Sequence, residues 1–203
     1  LYDGAANGPK PLLFVPCGYE RKYIEWLDRD LSSGGFVGEH DIDSDIMSHC
    51  QLDKDKGVMR LKSDPTHIVV ETAYHYGLGY SHVYGIWEGG IISLKSTGLK
   101  PNRIWNGAIT RTTIDIPGHG IVQAPRWYYP WRIETVMETS KKGKTYYNVN
   151  PVRMGQPVTP AVYQQAREFA RLYSAGLIKR AQEEAPSASE VGGGPKGDDD
   201  IPF

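Results

Sequence analysis

The sequence predicts an α+β fold that is mainly β: a strand-rich body, one C-terminal helix, then a disordered acidic tail. Three observations predict it. Short runs of β-branched and aromatic residues recur between clusters of Gly, Pro and Asp. One segment after Thr159 places apolar residues three and four apart. Beyond Glu184 the composition turns to Ala, Pro, Ser, Gly and acid, with nothing to form a core. The expected division is a body over 1–182 and a linker with a terminal tip over 183–203. At 203 residues the chain can bury a core without staples.

In chain order, Pro11 to Pro16 is an apolar run bounded by prolines and reads as a buried strand, with Tyr19 to Leu27 as a second. Residues 28–66 are polar and rich in Gly and Asp, and read as long loops. His67 to Thr72, Val83 to Trp87 and Gly90 to Lys95 read as strands, the last two joined by a tight turn at Glu88-Gly89-Gly90. Lys100 to Ile109 reads as a short helix presenting Arg103 and Trp105, with Pro101 in its first turn. Ile114–Ile116 and Gly120–Val122 flank a turn at Pro117-Gly118-His119. Trp127 to Thr139 and Thr145 to Val152 flank the basic segment 140–144, as a hairpin. Thr159 is the N-cap and Pro160 the first residue of the helix, whose apolar face is Val162, Ala166, Phe169, Tyr173 and Leu177.

The net charge of −1 hides an asymmetry. Residues 182–203 carry −5 and the remainder +4, and between Ile91 and Arg132 six bases face the single acid Asp115. A basic body with an acidic tail suggests a polyanionic ligand and a tail that competes with it; a solvated face beside a solubilising tail is the plainer alternative. Cys17 and Cys50 form no disulfide framework and no zinc motif, and read as buried thiols in a reducing compartment. No stretch reaches the roughly 20 apolar residues of a membrane span, so no membrane partner is expected. With no leader visible, the expected location is cytoplasmic. The chain starts at Leu1 rather than Met, which leaves room for a preceding segment.

The ending Asp198-Asp199-Asp200-Ile201-Pro202-Phe203 resembles the C-terminal tip of bacterial single-stranded-DNA-binding proteins (SSB) in identity, order and position. In that family the tip docks on replication and repair enzymes. Phe203 and Ile201 suit a small apolar pocket, and the aspartates and terminal carboxylate suit Lys and Arg around it. The body is similar to a phage-encoded group of single-stranded-DNA-binding proteins. The similarity rests on Phe14-Val15-Pro16-Cys17, Arg21 to Trp26, Gly34 to Val37, Asp45 to Met47, Ser93 to Asn106, Lys142 to Tyr147 and the Thr159 helix. It implies an OB-like barrel, a role in replication or recombination in the host cytoplasm, and single-stranded DNA as ligand. Its protein partners would be host or phage replication and repair proteins with a pocket for such a tip. A homo-oligomer is compatible with it, and no cofactor is expected.

Aromatic faces stack bases regardless of sequence while a basic groove follows phosphates. Three clusters offer this mixture. Arg126-Trp127-Tyr128-Tyr129-Pro130-Trp131-Arg132 sets four aromatics between two arginines; as a strand it would turn Trp127, Tyr129 and Trp131 to one face. Lys141, Lys142 and Lys144 form a hairpin tip before Tyr146 and Tyr147. Lys95, Lys100, Arg103 and Trp105, with Arg111 beyond, form the third. For any one Trp or Tyr the core is the competing destination.

Enzyme readings are weaker, and no catalytic residue is expected. Asp41-x-Asp43-x-Asp45 lacks the Gly and Glu of a calcium loop, having Ile46 and Leu52 at those places. His40, Asp43, His49 and His75 could build a hydrolytic metal centre, so a metal-dependent DNA-processing nuclease is the alternative, beside a DNA-free replication adaptor. Cys17 has no activating His in view. Gly77-x-Gly79 and Pro117 to Gly120 lack the setting of a phosphate loop.

Overall fold

The computed structural model describes residues 11–139, 143 and 145–178. The chain divides into two compact units, one from residues 11–20 and 73–178, the other from residues 21–72. Two long strands, β1 (Leu12–Leu27) and β5 (His67–Ser81), each give one part to either unit.

In the first unit β1 and β5 are joined by β6 (Ile86–Lys95), β9 (Trp131–Thr139) and β10 (Thr145–Arg153). The hydrogen-bonded order is β10-β9-β1-β5, with β6 on β5. The run Phe14-Val15-Pro16-Cys17-Gly18 is buried without alternation because both faces of the sheet are covered, which is why it reads as continuous apolar sequence. On one face Phe14 packs with Trp105, Ile109, Trp131 and Ile133 beneath α1 (Leu99–Thr110). On the other, Val15, Cys17 and Leu78 pack with Ala166 and Ala170 of α2 (Pro160–Ser174). A Cβ at Gly77 would lie 2.1 Å from the Val15 carbonyl oxygen, so only glycine lets these strands approach. The mainly β body with its C-terminal helix is the fold class read from the sequence. Among the described residues the strand path has two ends, so backbone pairing does not close it into a barrel.

The second helix starts as its sequence dictates: the Thr159 side chain accepts from the Val162 N–H, and Pro160 occupies the first turn. Leu177 lies past its end and is exposed, outside the expected apolar face. The paired strands β7 (Thr113–Ile116) and β8 (Gly120–Gln123) flank the expected turn, with Gly118 at φ 82°.

Three expectations are corrected. The β5–β6 turn is not at Glu88-Gly89-Gly90 but at residues 82–85, where the Gly85 N–H donates to the Ser81 carbonyl. Trp127, Tyr128 and Tyr129 are not strand. Pro125 and Pro130 cannot donate to a ladder, and a turn forms in which the Tyr128 N–H donates to the Pro125 carbonyl. The proposed one-face grouping of Trp127, Tyr129 and Trp131 goes with it.

The third correction is in the second unit, where residues 28–66 are far from being only loops. They hold β2 (Gly35–Asp41), a 3-10 turn at Asp45–His49, β3 (Cys50–Asp53) and β4 (Val58–Leu61). β2 pairs antiparallel with β1, with a register shift between Glu25 and Trp26, while β3 pairs with β4 and β4 with β5. These strands escaped notice because two have only four residues and the faces of β2 and β3 are largely exposed. The pairing is held by buried polar groups. The Arg60 guanidinium donates to Asp28 (2.6 Å), Asp53 (2.8 Å) and the Pro65 carbonyl (2.8 Å). Glu25 accepts from His40 (2.9 Å) and His67 (2.5 Å). Burial works against ionisation of Glu25, but the hydrogen bonds from His67 and His40 outweigh it and hold the carboxyl below its ordinary range. Among the described residues no helix is long and apolar enough to cross a membrane.

Candidate nucleic-acid interface

α1 has two chemically distinct faces. Asn102, Trp105 and Ile109 recur at three and four residues and are buried. Lys100, Arg103, Ile104 and Arg111 lie on the opposite side, all exposed, with Ile104 63% accessible. No acid occurs anywhere in the helix, so this outer face is uniformly basic around one apolar residue.

The helix packs against β10 of the β9–β10 hairpin. The hairpin register pairs Tyr147 with Met137 and Tyr146 with Glu138. Alternation then sends the two tyrosines to opposite faces. The Tyr146 hydroxyl donates to Glu138 (2.8 Å), and Asn148 donates to the same carboxylate (3.2 Å). These bonds, helped by the charge of Lys100, hold the Glu138 carboxyl below its ordinary value. Tyr147 is 73% accessible and Met137 68%. Beside them lies an open groove of about 270 Å³, lined among others by Ser93, Lys95, Thr97, Thr135 and Tyr147.

Inside the first unit a polar string runs through the aromatic core. His75 stacks on Trp105 with ring centroids 3.9 Å apart and donates from Nε2 to Asn102 Oδ1 (2.8 Å). Asn102 donates in turn to the Tyr19 hydroxyl (3.2 Å), and the Arg126 guanidinium sits over the Tyr19 ring (5.5 Å). Burial pulls the His75 pKa down to about 4, so the ring is neutral at pH 7. Burial likewise pushes the Cys17 thiol up to about 12, leaving it protonated.

The residues singled out from sequence therefore separate. Lys95, Lys100, Arg103 and Arg111 are exposed. Trp105, at 1% accessible, and Trp131 belong to the core, where their rings meet edge to face at 6.1 Å. Helix α1 presents Arg103 but turns Trp105 inward, because Trp105 shares the buried stripe. Arg126 is half-buried and donates to Asn106 (2.9 Å). Trp127 packs beneath α2 with its ring near Tyr163. Tyr129 is covered by the Arg153 guanidinium (4.9 Å), and Arg132 is paired with Glu134 (2.6 Å). Tyr146 is half-buried and committed to Glu138. Lys141, Lys142 and Lys144, and the tip Asp198, Asp199, Asp200, Ile201, Pro202 and Phe203, lie outside the described residues. Sequence reasoning passed over Ile104 and Met137, and set Tyr147 beside Tyr146 without separating them; the hairpin register tells the two apart.

For the nuclease alternative, His40 is paired with Glu25, His49 with Asp45 (3.2 Å), and His75 is enclosed. Among the described residues no group of three or more His, Cys, Asp or Glu is arranged to hold a metal.

No curated protein and no solved structure matches this chain. A family model described as Pam3 phage gp34-like protein matches residues 1–179, nearly the whole of the body whose basic helix face and exposed hairpin are described above. The chain belongs to this family of phage proteins, the Pam3 phage gp34-like proteins.

Proposed function

We propose that this protein binds single-stranded DNA without base preference and recruits replication or repair proteins through its Asp198–Phe203 tip. The observation that carries the reading is the outer face of α1, where Lys100, Arg103 and Arg111 surround exposed Ile104 with no acid in the helix. Such a face attracts phosphates by charge while offering apolar surface to unstacked bases. The phage family and the likeness of the tip to that of bacterial single-stranded-DNA-binding proteins support the same role. Ile201-Pro202-Phe203 adds apolar residues to the acidic tail that a solubilising tail has no use for.

A fluorescence titration with single-stranded and blunt duplex oligonucleotides over a salt series tests the binding. Single strands bind more tightly, and log affinity falls with log salt by about 0.7 per phosphate neutralised. Replacing Lys100, Arg103 and Arg111 together by Ala lowers that slope by about 2. Equal affinity for duplex, or an unaltered slope, refutes the reading. Cleavage that needs a divalent metal would put the nuclease in its place. For the tip, a pull-down from bacterial lysate compares the intact chain with Phe203→Ala. Identical partner sets refute recruitment.

A further inference from the structure

We infer that Tyr147 is a base-stacking platform and that the groove beside it is a one-nucleotide subsite, with Lys95 facing the phosphate. This rests on the single-strand-binding reading and gives it a place on the molecule.

Four observations converge. Tyr147 is 73% accessible, although it lies in a regular strand whose next inward neighbour, Val149, packs on the core. Its cross-strand partner Met137 is exposed too, so the outer half of the β9–β10 hairpin carries a two-residue apolar surface in water. The floor and walls of the groove are made by the end of β6, the turn after it and the hairpin, and its volume of about 270 Å³ falls just below the roughly 300 Å³ at which drug-sized sites begin. Among the lining residues Lys95 is the one charged side chain and none is acidic. The Glu138 carboxylate of the hairpin is engaged by Tyr146 and by Asn148, which itself lines the groove.

Charge selects the occupant. An apolar face with a cation at its edge fits a flat, uncharged ring attached to an anion, which is the chemistry of a nucleotide in a single strand. In sequence, the segment between β9 and β10 holds Lys141, Lys142 and Lys144 and no acid. Thr97 and Thr135 provide hydroxyls that can meet any base edge, consistent with a site that does not read sequence.

The test is binding of a fluorescent oligothymidylate to the full chain and its variants. Tyr147→Ala weakens binding about 5- to 150-fold, the range for one stacked base, while Tyr147→Phe stays within about twofold of the parent. Tyr147→Trp adds an exposed indole whose emission the oligonucleotide quenches. Lys95→Gln lowers the salt slope by about 0.7. If the parent protein itself fails to bind, the proposed function falls. If the parent binds and Tyr147→Ala binds equally well, the subsite is overturned while the function stands. A change of oligomeric state in Tyr147→Ala assigns the surface to a second copy of the chain and also overturns it. Should Tyr147→Ala not fold, absence of quenching in Tyr147→Trp overturns the inference.

Discussion

His75 shows how one enclosed side chain sets a pH response. Its ring is sandwiched against Trp105 and near Tyr19, and it has a single hydrogen-bond partner, Asn102. Burial lowers its pKa from 6.5 to about 4; the bond to Asn102 opposes that shift and the Arg126 charge adds to it. In the unfolded chain the same imidazole takes up a proton near pH 6.5. Stability from this group is therefore complete above pH 6.5 and is lost as pH falls toward 4, by about 3 kcal/mol in all. His75→Phe keeps the stacking on Trp105 and removes the titration. It costs about 1–3 kcal/mol at pH 7 by leaving the buried Asn102 Oδ1 without its donor, while the Asn102 amide keeps Tyr19. Urea denaturation at intervals from pH 7 to pH 4 should show a flatter decline for the variant. An unchanged slope would mean that another group governs it. The sequence shows only the residue type that admits His75 to the metal-centre alternative; its enclosure against Trp105 is visible in the structure alone.

At the level of elements, Gly89 tells why some boundaries were legible and others not. Gly-Gly after an acid looks like a turn, yet β6 runs straight through it. A Cβ at Gly89 would stand 3.0 Å from the Phe169 ring of α2, whereas one at Gly90 would meet nothing within 4 Å. The first glycine serves helix–strand packing, not chain reversal. Gly89→Val should therefore cost about 1–3 kcal/mol by overpacking. Gly90→Val should be neutral or slightly stabilising, as β-branched residues suit strands. Thermal melting of the two variants separates the readings, since a turn would suffer from both. By contrast, α2 was legible because its start is written locally, in Thr159-Pro160 and the spacing that follows. α1 was legible as a helix, but not in which way it faced. Trp105 faces inward because it shares a stripe with Asn102 and Ile109, and the tenants of that stripe are known only once β1 and β9 are in place. The turn at 125–130 could have been foreseen from its two prolines, which outweigh four aromatics as a local signal. The short strands of residues 28–66 could not, because they are brief, and the Arg60 that ties them together reaches Asp28, distant in sequence, as well as the nearby Asp53.

For the molecule as a whole, charge is divided along the chain as −5 over residues 182–203 and +4 over the rest. A tethered acidic segment competes with DNA at high effective concentration. Removing residues 182–203 should tighten DNA binding at low salt, with a gain that shrinks as salt screens the attraction. Phe203→Ala, which keeps every acid, should show much less of it. Titrations at two ionic strengths decide the matter, and a gain that ignores salt would exclude the electrostatic account. The covering of β1 on both faces has a different consequence, for synthesis. Phe14, Val15 and Cys17 are made early, but the partners that enclose them lie far downstream: Trp105 and Ile109, then Trp131 and Ile133, and finally Ala166 and Ala170. Local folding cannot hide this strand, and its loop-closure entropy is met late. On the ribosome, Leu12 to Val15 is thus an apolar run awaiting its partners, and Pro16, which cannot donate to a ladder, interrupts a segment that would otherwise template aggregation before α2 emerges.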